Sequence, residues 1–99
     1  MGDYILLRHD DALTEETGDW DVYLRTLKPR GVFEGGSAIG GGVCMRKGSP
    51  APGITTHLVG YVRVTVGTLD EAKSLLVDNP HYQAGGTVEV RELPRTSPL

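Results

Sequence analysis

The stretch TLDEAKSLLVDNPHYQAGGTVEVR, from Thr68 to Arg91, decides the predicted fold because nearly every part of it carries a local structural signal. Thr68 and Glu71 form a T-x-x-E capping box. In such a box the Thr68 hydroxyl accepts from the Glu71 amide, and the Glu71 carboxylate accepts from the Thr68 amide. The pattern predicts a helix that begins after Thr68 and whose buried stripe is Leu69, Ala72, Leu75 and Leu76.

The second half of the stretch predicts the end of this helix, a turn and a strand. Asn79 precedes Pro80, and a residue before proline is pushed out of the helical region. We expect HYQAGG to be a loop, with Gly85–Gly86 as its turn. The final strand, TVEVREL, should place its residues on two faces, Val88 with Val90 and Thr87 with Glu89 and Arg91. Pro94 and Pro98 predict an unstructured tail.

The segment HLVGYVRVTVG, residues 57–67, carries the strongest strand signal, because its residues are β-branched or aromatic and alternate in polarity. One face is apolar and should carry the helices; it consists of Leu58, Gly60, Val62, Val64 and Val66. The other face is mixed and should be partly solvated or meet another subunit; it consists of Val59, Tyr61, Arg63 and Thr65.

Two further elements are predicted ahead of this strand. Tyr4–Leu7 is a short apolar run bounded by charge, which favours a strand covered on both faces. A helix should begin between Thr14 and Asp19 and end at Pro29 and Gly31. Its apolar residues recur at helical spacing, at Trp20, Tyr23, Leu24 and Leu27.

Two polar segments contain residue types that are found in ion-binding sites. Six acidic residues lie between Asp10 and Asp21. They favour a solvated helix entrance over a metal site, because they suit the positive end of the helix dipole and lack an EF-hand spacing. The Gly40–Gly42 run lacks a phosphate-loop pattern. Val32–Ile39 predicts a strand, and Arg46–Gly53 an exposed excursion of about ten residues at most.

The resulting order is strand, helix, strand, strand, helix, strand. This order predicts a ferredoxin-like βαββαβ fold of the α+β class, with a four-stranded antiparallel sheet and two helices on one face. The other face would be open in a monomer, and two such faces can pack together. We therefore expect a homodimer that pairs through the open sheet face.

Composition sets broader limits. The 99 residues fit a single domain, 1–99, and the net charge of −3 with scattered Lys and Arg argues against nucleic-acid binding. Cys44 is the only cysteine, so no internal disulfide is expected. No apolar run reaches membrane-spanning length, and the first one is too short for a signal peptide. We expect a cytoplasmic protein with no membrane association, and no cofactor is predicted.

The chain resembles the YCII-related family, the YciI-like and DGPF-domain group. The resemblance covers nearly the whole chain: the YILLRHD strand, a W-x-x-YL helix closing on glycine, TLDEAKSLLVDNP and GTVEVRELP. It implies a dimeric α+β barrel of ferredoxin-like subunits. Where the family carries a histidine and an Asp-Pro pair, associated with acid–base work, this chain has Trp20 and Asn79–Pro80. The DGPF motif itself is absent.

These observations select candidate site residues. The catalytic candidates are His9 and His81, whose imidazoles titrate near neutrality; a strand-end and a loop histidine can also be plain surface residues. The ligand-binding candidates are Trp20, Tyr61, Arg63, Asn79 and Arg91. Arg63 and Arg91 suit either an anion site or a structural ion pair with Glu89.

Two functions remain open from the sequence. The first is a small-molecule-binding enzyme with a pocket between sheet and helices. The second is a non-catalytic dimeric module for ligand sensing, or an accessory subunit. The family resemblance favours the first, and the replaced acid–base positions favour the second. An enzyme and a non-catalytic module are therefore both compatible with the sequence.

Overall fold

The computed structural model of the protein describes residues 1–95 and contains four strands and three α-helices. A 3-10 turn over Leu75–Asp78 joins the second and third helices. The elements in chain order are β1 (Gly2–His9), α1 (Trp20–Leu27), β2 (Phe33–Ala38), β3 (Leu58–Val66), α2 (Leu69–Ser74), α3 (Pro80–Gln83) and β4 (Val88–Leu93). Of the expected unstructured tail, Pro98 lies outside the described residues.

The strands form one sheet in the order β2-β3-β1-β4, and every neighbouring pair is antiparallel. The predicted four-stranded antiparallel sheet is thus confirmed, although three helices accompany it where two were expected. Leu6 of β1 lies opposite Val62 of β3 and Val90 of β4. This register aligns the apolar positions of the three strands on one face of the sheet.

The core lies between that face and the helices. Leu6, Leu27 and Val64 are its most completely buried large side chains. Burying a side chain of this kind contributes about 1.5–3 kcal/mol. The alternation predicted for β3 is confirmed, because Gly60, Val62, Val64 and Val66 are all buried. The rest of the buried cluster comes from β1 and the helices: Tyr4, Tyr23, Ala72, Leu75 and Leu76.

The opposite side of the sheet, which we call the open face, is covered by none of the helices described in residues 1–95. Ile5 and Leu7 point to it and are only half-buried. The prediction that the Tyr4–Leu7 strand is covered on both faces is therefore wrong for a single chain. The other residues on this face include Tyr61, Arg63, Thr65, Glu89 and Arg91.

Helix α1 begins at Trp20 because Asp19 caps it. The Asp19 carboxylate accepts from the amides of Asp21, at 2.8 Å, and Val22, at 3.4 Å. An aspartate in this position satisfies backbone donors that have no partner inside the helix. The helix ends at Leu27, and Gly31 follows with a φ of 70°, a left-handed conformation that glycine adopts without strain.

The capping box of α2 is confirmed in one half. Thr68 Oγ1 accepts from the Glu71 amide at 3.1 Å. Glu71, however, reaches back to the amide of Gly67, at 3.1 Å, and not to that of Thr68. The helix is short and gives way to the 3-10 turn after Ser74. Leu69, expected in the buried stripe, is 48% exposed, whereas the other three members are buried.

The segment after Asn79 is helical and not a loop. Asn79 ends the 3-10 turn with an extended backbone, and its side chain then caps α3 by accepting from the Tyr82 amide at 3.0 Å. Pro80 follows at the first helical position, where its missing N–H costs no hydrogen bond. The proline was interpreted as a stop signal only, but it both ends one helix and begins the next.

The connection between β2 and β3 is longer than expected. It runs from Ile39 to His57 without regular secondary structure, and most of it is exposed. The predicted excursion of about ten residues at most is therefore wrong. β2 itself carries an irregularity between Phe33 and Gly35, where Gly35 has a φ of 128°. Within residues 1–95, no helix is long and apolar enough to cross a membrane.

Candidate functional site

A cleft of about 230 Å³ opens between the sheet and helix α1. Its floor contains Gly36, Ala38 and Gly60, whose small size leaves a hollow in the layer of side chains on this face. Trp20 and Leu24 of α1 form one wall. The remaining lining residues are Leu6, Arg8, Ser37, Tyr61, Val62, Asn79 and Val88.

Arg8 is the one charged side chain that lines this cleft among residues 1–95. It lies in β1 opposite Gly60 and Val88, so its side chain is on the helix-bearing face. Its Nη2 donates to the carbonyl of Val59 at 3.1 Å. A Cβ on Gly60 would lie 2.7 Å from Nη2 and 2.9 Å from Nε, so the guanidinium occupies the space that the glycine leaves.

Trp20 and Glu16 complete the charged end of the cleft. The Arg8 guanidinium lies 5.2 Å from the centroid of the Trp20 ring, within cation–π range. The Trp20 indole Nε1 donates to Glu16 Oε2 at 2.7 Å. Glu16 Oε1 is 3.9 Å from Arg8 Nη1, an ion pair without a hydrogen bond. The indole donor therefore has the partner that a half-buried tryptophan needs.

His81 lies behind this group and is only 2% exposed. Its Nδ1 is 3.1 Å from Glu16 Oε1, and the carboxylate can only accept, so Nδ1 is the donor. Its Nε2 is 3.7 Å from Asp11 Oδ1, too far for a hydrogen bond, and has no other polar partner among the described residues. The interpretation of His81 as a solvent-exposed loop residue is therefore wrong.

Hydrogen bonds hold both of these carboxylates in the ionised form. Burial alone would raise the pKa of Glu16, but the hydrogen bonds from Trp20 and His81, together with the charge of Arg8, lower it overall. The pKa of Asp11 is lowered mainly by the hydroxyl and then by the amide of Thr87. Each of these donors stabilises the charged form of the carboxylate that it contacts.

The loop that carries these two acids is fixed to the turn before β4. Asp11 accepts from the Thr87 amide at 2.7 Å and from its hydroxyl at 2.6 Å. The amides of Leu13 and Thr14 both donate to the carbonyl of Ala84, at 2.9 and 3.1 Å. The acidic segment, expected to be a solvated helix entrance, is thus partly a structural clamp around His81.

Asn79 and Tyr23 support the cleft from below. Asn79 lines the cleft, is 2% exposed and holds α3 through its side-chain cap. The Tyr23 hydroxyl donates to the carbonyl of Leu75 at 2.8 Å, which fixes α1 against the 3-10 turn. Burial raises the pKa of Tyr23. These contacts hold α1, which forms the wall of the cleft, in a fixed position relative to the 3-10 turn and α3.

The other predicted site residues lie on the open face. His9 Nε2 is 3.0 Å from Glu89 Oε1, and Arg91 donates to Glu89 Oε2 at 2.9 Å. The pKa of Glu89 is lowered, first by Arg91 and then by His9. Arg63 is exposed, and alternation assigns the Tyr61 side chain to this face although strand β3 also borders the cleft. The structure therefore brings Trp20, Asn79 and His81 together and separates them from His9, Arg63 and Arg91.

Sequence reasoning missed Arg8, Glu16 and Asp11. A signal existed for Arg8, since alternation from Tyr4 and Leu6 puts it on the apolar face. The roles of Glu16 and Asp11 depend on contacts across 65 and 76 positions of the chain, for which the sequence offers no local pattern. Within residues 1–95 no group of three or more His, Cys, Asp or Glu side chains is placed to hold a metal ion.

Fold and site together define a small α+β domain with one antiparallel sheet, helices on one face and a cleft containing an arginine and a tryptophan. Comparison with known proteins adds no family to this description. No protein-family model, no curated protein and no solved structure matches the chain.

Proposed function

We propose that this chain is a YCII-like subunit of a dimeric α+β barrel and that the cleft beside Trp20 binds a small organic molecule. The sequence resemblance supports the family. The strand order β2-β3-β1-β4 with antiparallel pairing supports a ferredoxin-like βαββαβ arrangement, in which α2, the 3-10 turn and α3 together make the second connection.

The observation that carries the binding function is the cleft itself. It is a hollow made by small floor residues against an aromatic wall, and one cation and one buried amide, Arg8 and Asn79, converge on it. A concave apolar site with a few placed polar groups is the usual form of a small-molecule site. Its volume of about 230 Å³ suits a compact ligand.

The dimer is proposed through the open face. Ile5, Leu7 and Tyr61 are half-buried there in a single chain and form the apolar centre of the face. Arg63, Arg91 and Glu89 stand around it. An apolar centre with a charged surround is the composition of a protein–protein interface. If two copies packed through this face, β1 would be covered on both faces, as its apolar sequence predicts.

Binding without catalysis is the function that the side-chain positions favour. His9 is engaged with Glu89 on the open face, and His81 is buried behind the cleft and does not line it. An enzymatic role is the second candidate, because Glu16 links His81 to the cleft wall. Its carboxylate accepts from the His81 ring and from the indole of Trp20, which forms that wall. In that case Glu16, ionised and 27% exposed in its side chain, would be the base nearest the ligand.

A fragment screen tests the binding function. Thermal shift gives the primary readout, since a ligand at 100 times its dissociation constant adds about 2.7 kcal/mol to the free energy of unfolding. Trp20 is the only tryptophan, so its fluorescence reports cleft occupancy directly. Hits should be lost in Trp20→Ala and retained in Tyr82→Ala, whose ring is 50% exposed and outside the cleft. Hits that survive Trp20→Ala would rule out this cleft as the site.

The enzymatic candidate has its own test. Each confirmed hit is incubated with the wild-type protein and with Glu16→Gln, and its conversion is followed by mass spectrometry. Conversion by the wild type and not by the variant would establish catalysis. Unchanged hits that still bind would assign the protein to the non-catalytic class.

A further inference from the structure

The structure assigns the ligand of the cleft to the small organic carboxylates, which the Arg8 guanidinium would bind beside the ring of Trp20. This inference rests on the proposed binding function and names its ligand class. It depends on three observations: Arg8 has donors without acceptors, the acid nearest to it among residues 1–95 already accepts two hydrogen bonds, and the guanidinium is held in a fixed position.

The first observation is that Arg8 has more donors than acceptors around it. Nη2 is satisfied by the Val59 carbonyl. Nε is buried and has no hydrogen-bond partner among the described residues. A buried donor without a partner is costly, and most such donors in proteins are satisfied by protein, water or ligand. Arg8 also lines the cleft, and its Nη1 makes no hydrogen bond to the described residues, so Nη1 is the donor that an acceptor in the cleft would meet.

The second observation concerns charge. Glu16 is the acid nearest to Arg8, yet its two oxygens already accept from the Trp20 indole and the His81 ring. Its distance of 3.9 Å from Arg8 Nη1 exceeds hydrogen-bonding range. The positive charge is therefore only partly compensated. A carboxylate in the cleft would supply both the missing charge and an acceptor for Nη1, in a charge-assisted hydrogen bond of the kind that a guanidinium favours.

The third observation is that Gly60 fixes where the guanidinium lies. The group occupies the space above Gly60, from which any larger residue would displace it. The Trp20 ring at 5.2 Å holds its other side. A donor held in place loses little conformational entropy when it binds. The apolar floor and the indole then suit the hydrocarbon or aromatic body of the ligand.

Matched acid and amide pairs test the inference, with phenylacetate and phenylacetamide as the first pair. The two probes have nearly the same shape and differ in charge. Trp20 fluorescence titrations with the 99-residue chain should give an affinity for phenylacetate roughly tenfold or more above that for phenylacetamide. Inorganic phosphate is included to distinguish a carboxylate site from a general anion site, and we expect it to compete weakly or not at all.

Two variants keep the test specific. Arg8→Gln should lower the phenylacetate affinity to that of phenylacetamide. Gly60→Ala should do the same while keeping the charge, because the three atoms nearest the added methyl group all belong to the Arg8 guanidinium, which the methyl group would displace. Gly53→Ala, where an added Cβ meets nothing within 4 Å, is the control and should leave both affinities unchanged. Circular dichroism verifies that each variant is folded.

The outcomes separate this inference from the function on which it rests. Equal binding of acid and amide, or retained preference in Arg8→Gln, overturns the carboxylate assignment and leaves the binding function intact. Stronger binding of phosphate than of phenylacetate overturns it in favour of a general anion site. Binding of neither probe at millimolar concentration also overturns it, and the binding function is then judged by the wider fragment screen.

Discussion

The imidazole of His81 occupies the position where a side chain on Gly86 would begin. A Cβ built on Gly86 overlaps the ring atoms of His81, which is only 2% exposed. The Gly86 amide also donates to the His81 carbonyl at 2.9 Å, which closes the turn tightly around the ring. The glycine is therefore required by the histidine and not by the turn alone.

Gly86→Ala should lower the free energy of unfolding by about 1–3 kcal/mol, the usual cost of overpacking a filled interior. Chemical denaturation measures the change. In a His81→Ala background the same substitution should cost much less, because the overlapping ring has gone. Gly40→Ala is the matched control, since nothing lies within 4 Å of its added Cβ. An equal cost in both backgrounds would show that the ring is not the cause.

Thr68→Ala should destabilise the protein by about 1 kcal/mol, because the Glu71 amide at the start of α2 loses its acceptor. Thr56→Ala, at an exposed position in the long β2–β3 connection, should change stability by less than about 0.5 kcal/mol. Urea denaturation of the two variants side by side gives the comparison. A similar loss in both would mean that the cap contributes nothing specific.

Acidification should release the clamp between Asp11 and the turn before β4. The pKa values of Asp11 and Glu16 are lowered in the folded state from the usual 3.8 and 4.5. Their contribution to stability is therefore complete above those usual values and is lost as pH falls through the lowered ones. Stability measured by denaturation between neutral pH and pH 3 should fall mainly below about pH 4.5.

Asp11→Asn isolates one part of this acid sensitivity. The amide keeps one acceptor for Thr87 and loses the charge, so the variant should be less stable at neutral pH and lose less on acidification. Asp70→Asn, on the exposed side of α2 in a 3.5 Å pair with Lys73, is the control and should retain the wild-type pH profile. A wild-type profile in Asp11→Asn would exclude the clamp as a source of acid sensitivity.

Leu7→Asp should convert the proposed dimer into a monomer. Leu7 lies on the open face between Tyr61 and Glu89, and a carboxylate there would put two like charges into a paired interface. Light scattering at micromolar concentration measures the mass. Val43→Asp, at a site 77% exposed in the long connection, should leave the mass unchanged. A wild-type protein that is monomeric would contradict the dimer itself.

The features predicted correctly from the sequence are those with local causes. The Thr68 cap depends on residues three positions apart, and the burial of Val62, Val64 and Val66 follows from alternation within one strand. Both are set by geometry that the chain carries at that point. The antiparallel sheet then follows from the order of such elements and the short list of ways in which they connect.

The errors have physical causes of a different kind. Leu69 is the first residue of α2 and is 48% exposed, although helical spacing assigns it to the buried stripe. The helix after Asn79 was missed because a residue before proline also suits a helix cap. The contacts of His81 with Glu16 join residues far apart in sequence, so they exist only in the folded chain.

The candidate site residues fall into two groups in the structure. Trp20, Asn79 and His81 lie at the cleft or directly behind it, whereas His9, Arg63 and Arg91 lie on the open face. Alternation along β1 predicts the sheet face on which Arg8 lies. It does not predict that the guanidinium lies over Gly60, because that contact involves a residue of a different strand. A charged residue on an apolar sheet face indicates a site only when the strand register is known and the residue opposite is small enough to leave space for the charged group.

The long connection between β2 and β3 holds Cys44, whose thiol donates to the carbonyl of Gly53 at 3.6 Å. The chain contains one cysteine and one tryptophan, and the tryptophan forms a wall of the cleft. An acceptor dye coupled to Cys44 would therefore form a single energy-transfer pair with Trp20 without any substitution. The efficiency of energy transfer would report the distance between this connection and the cleft as each candidate ligand is added.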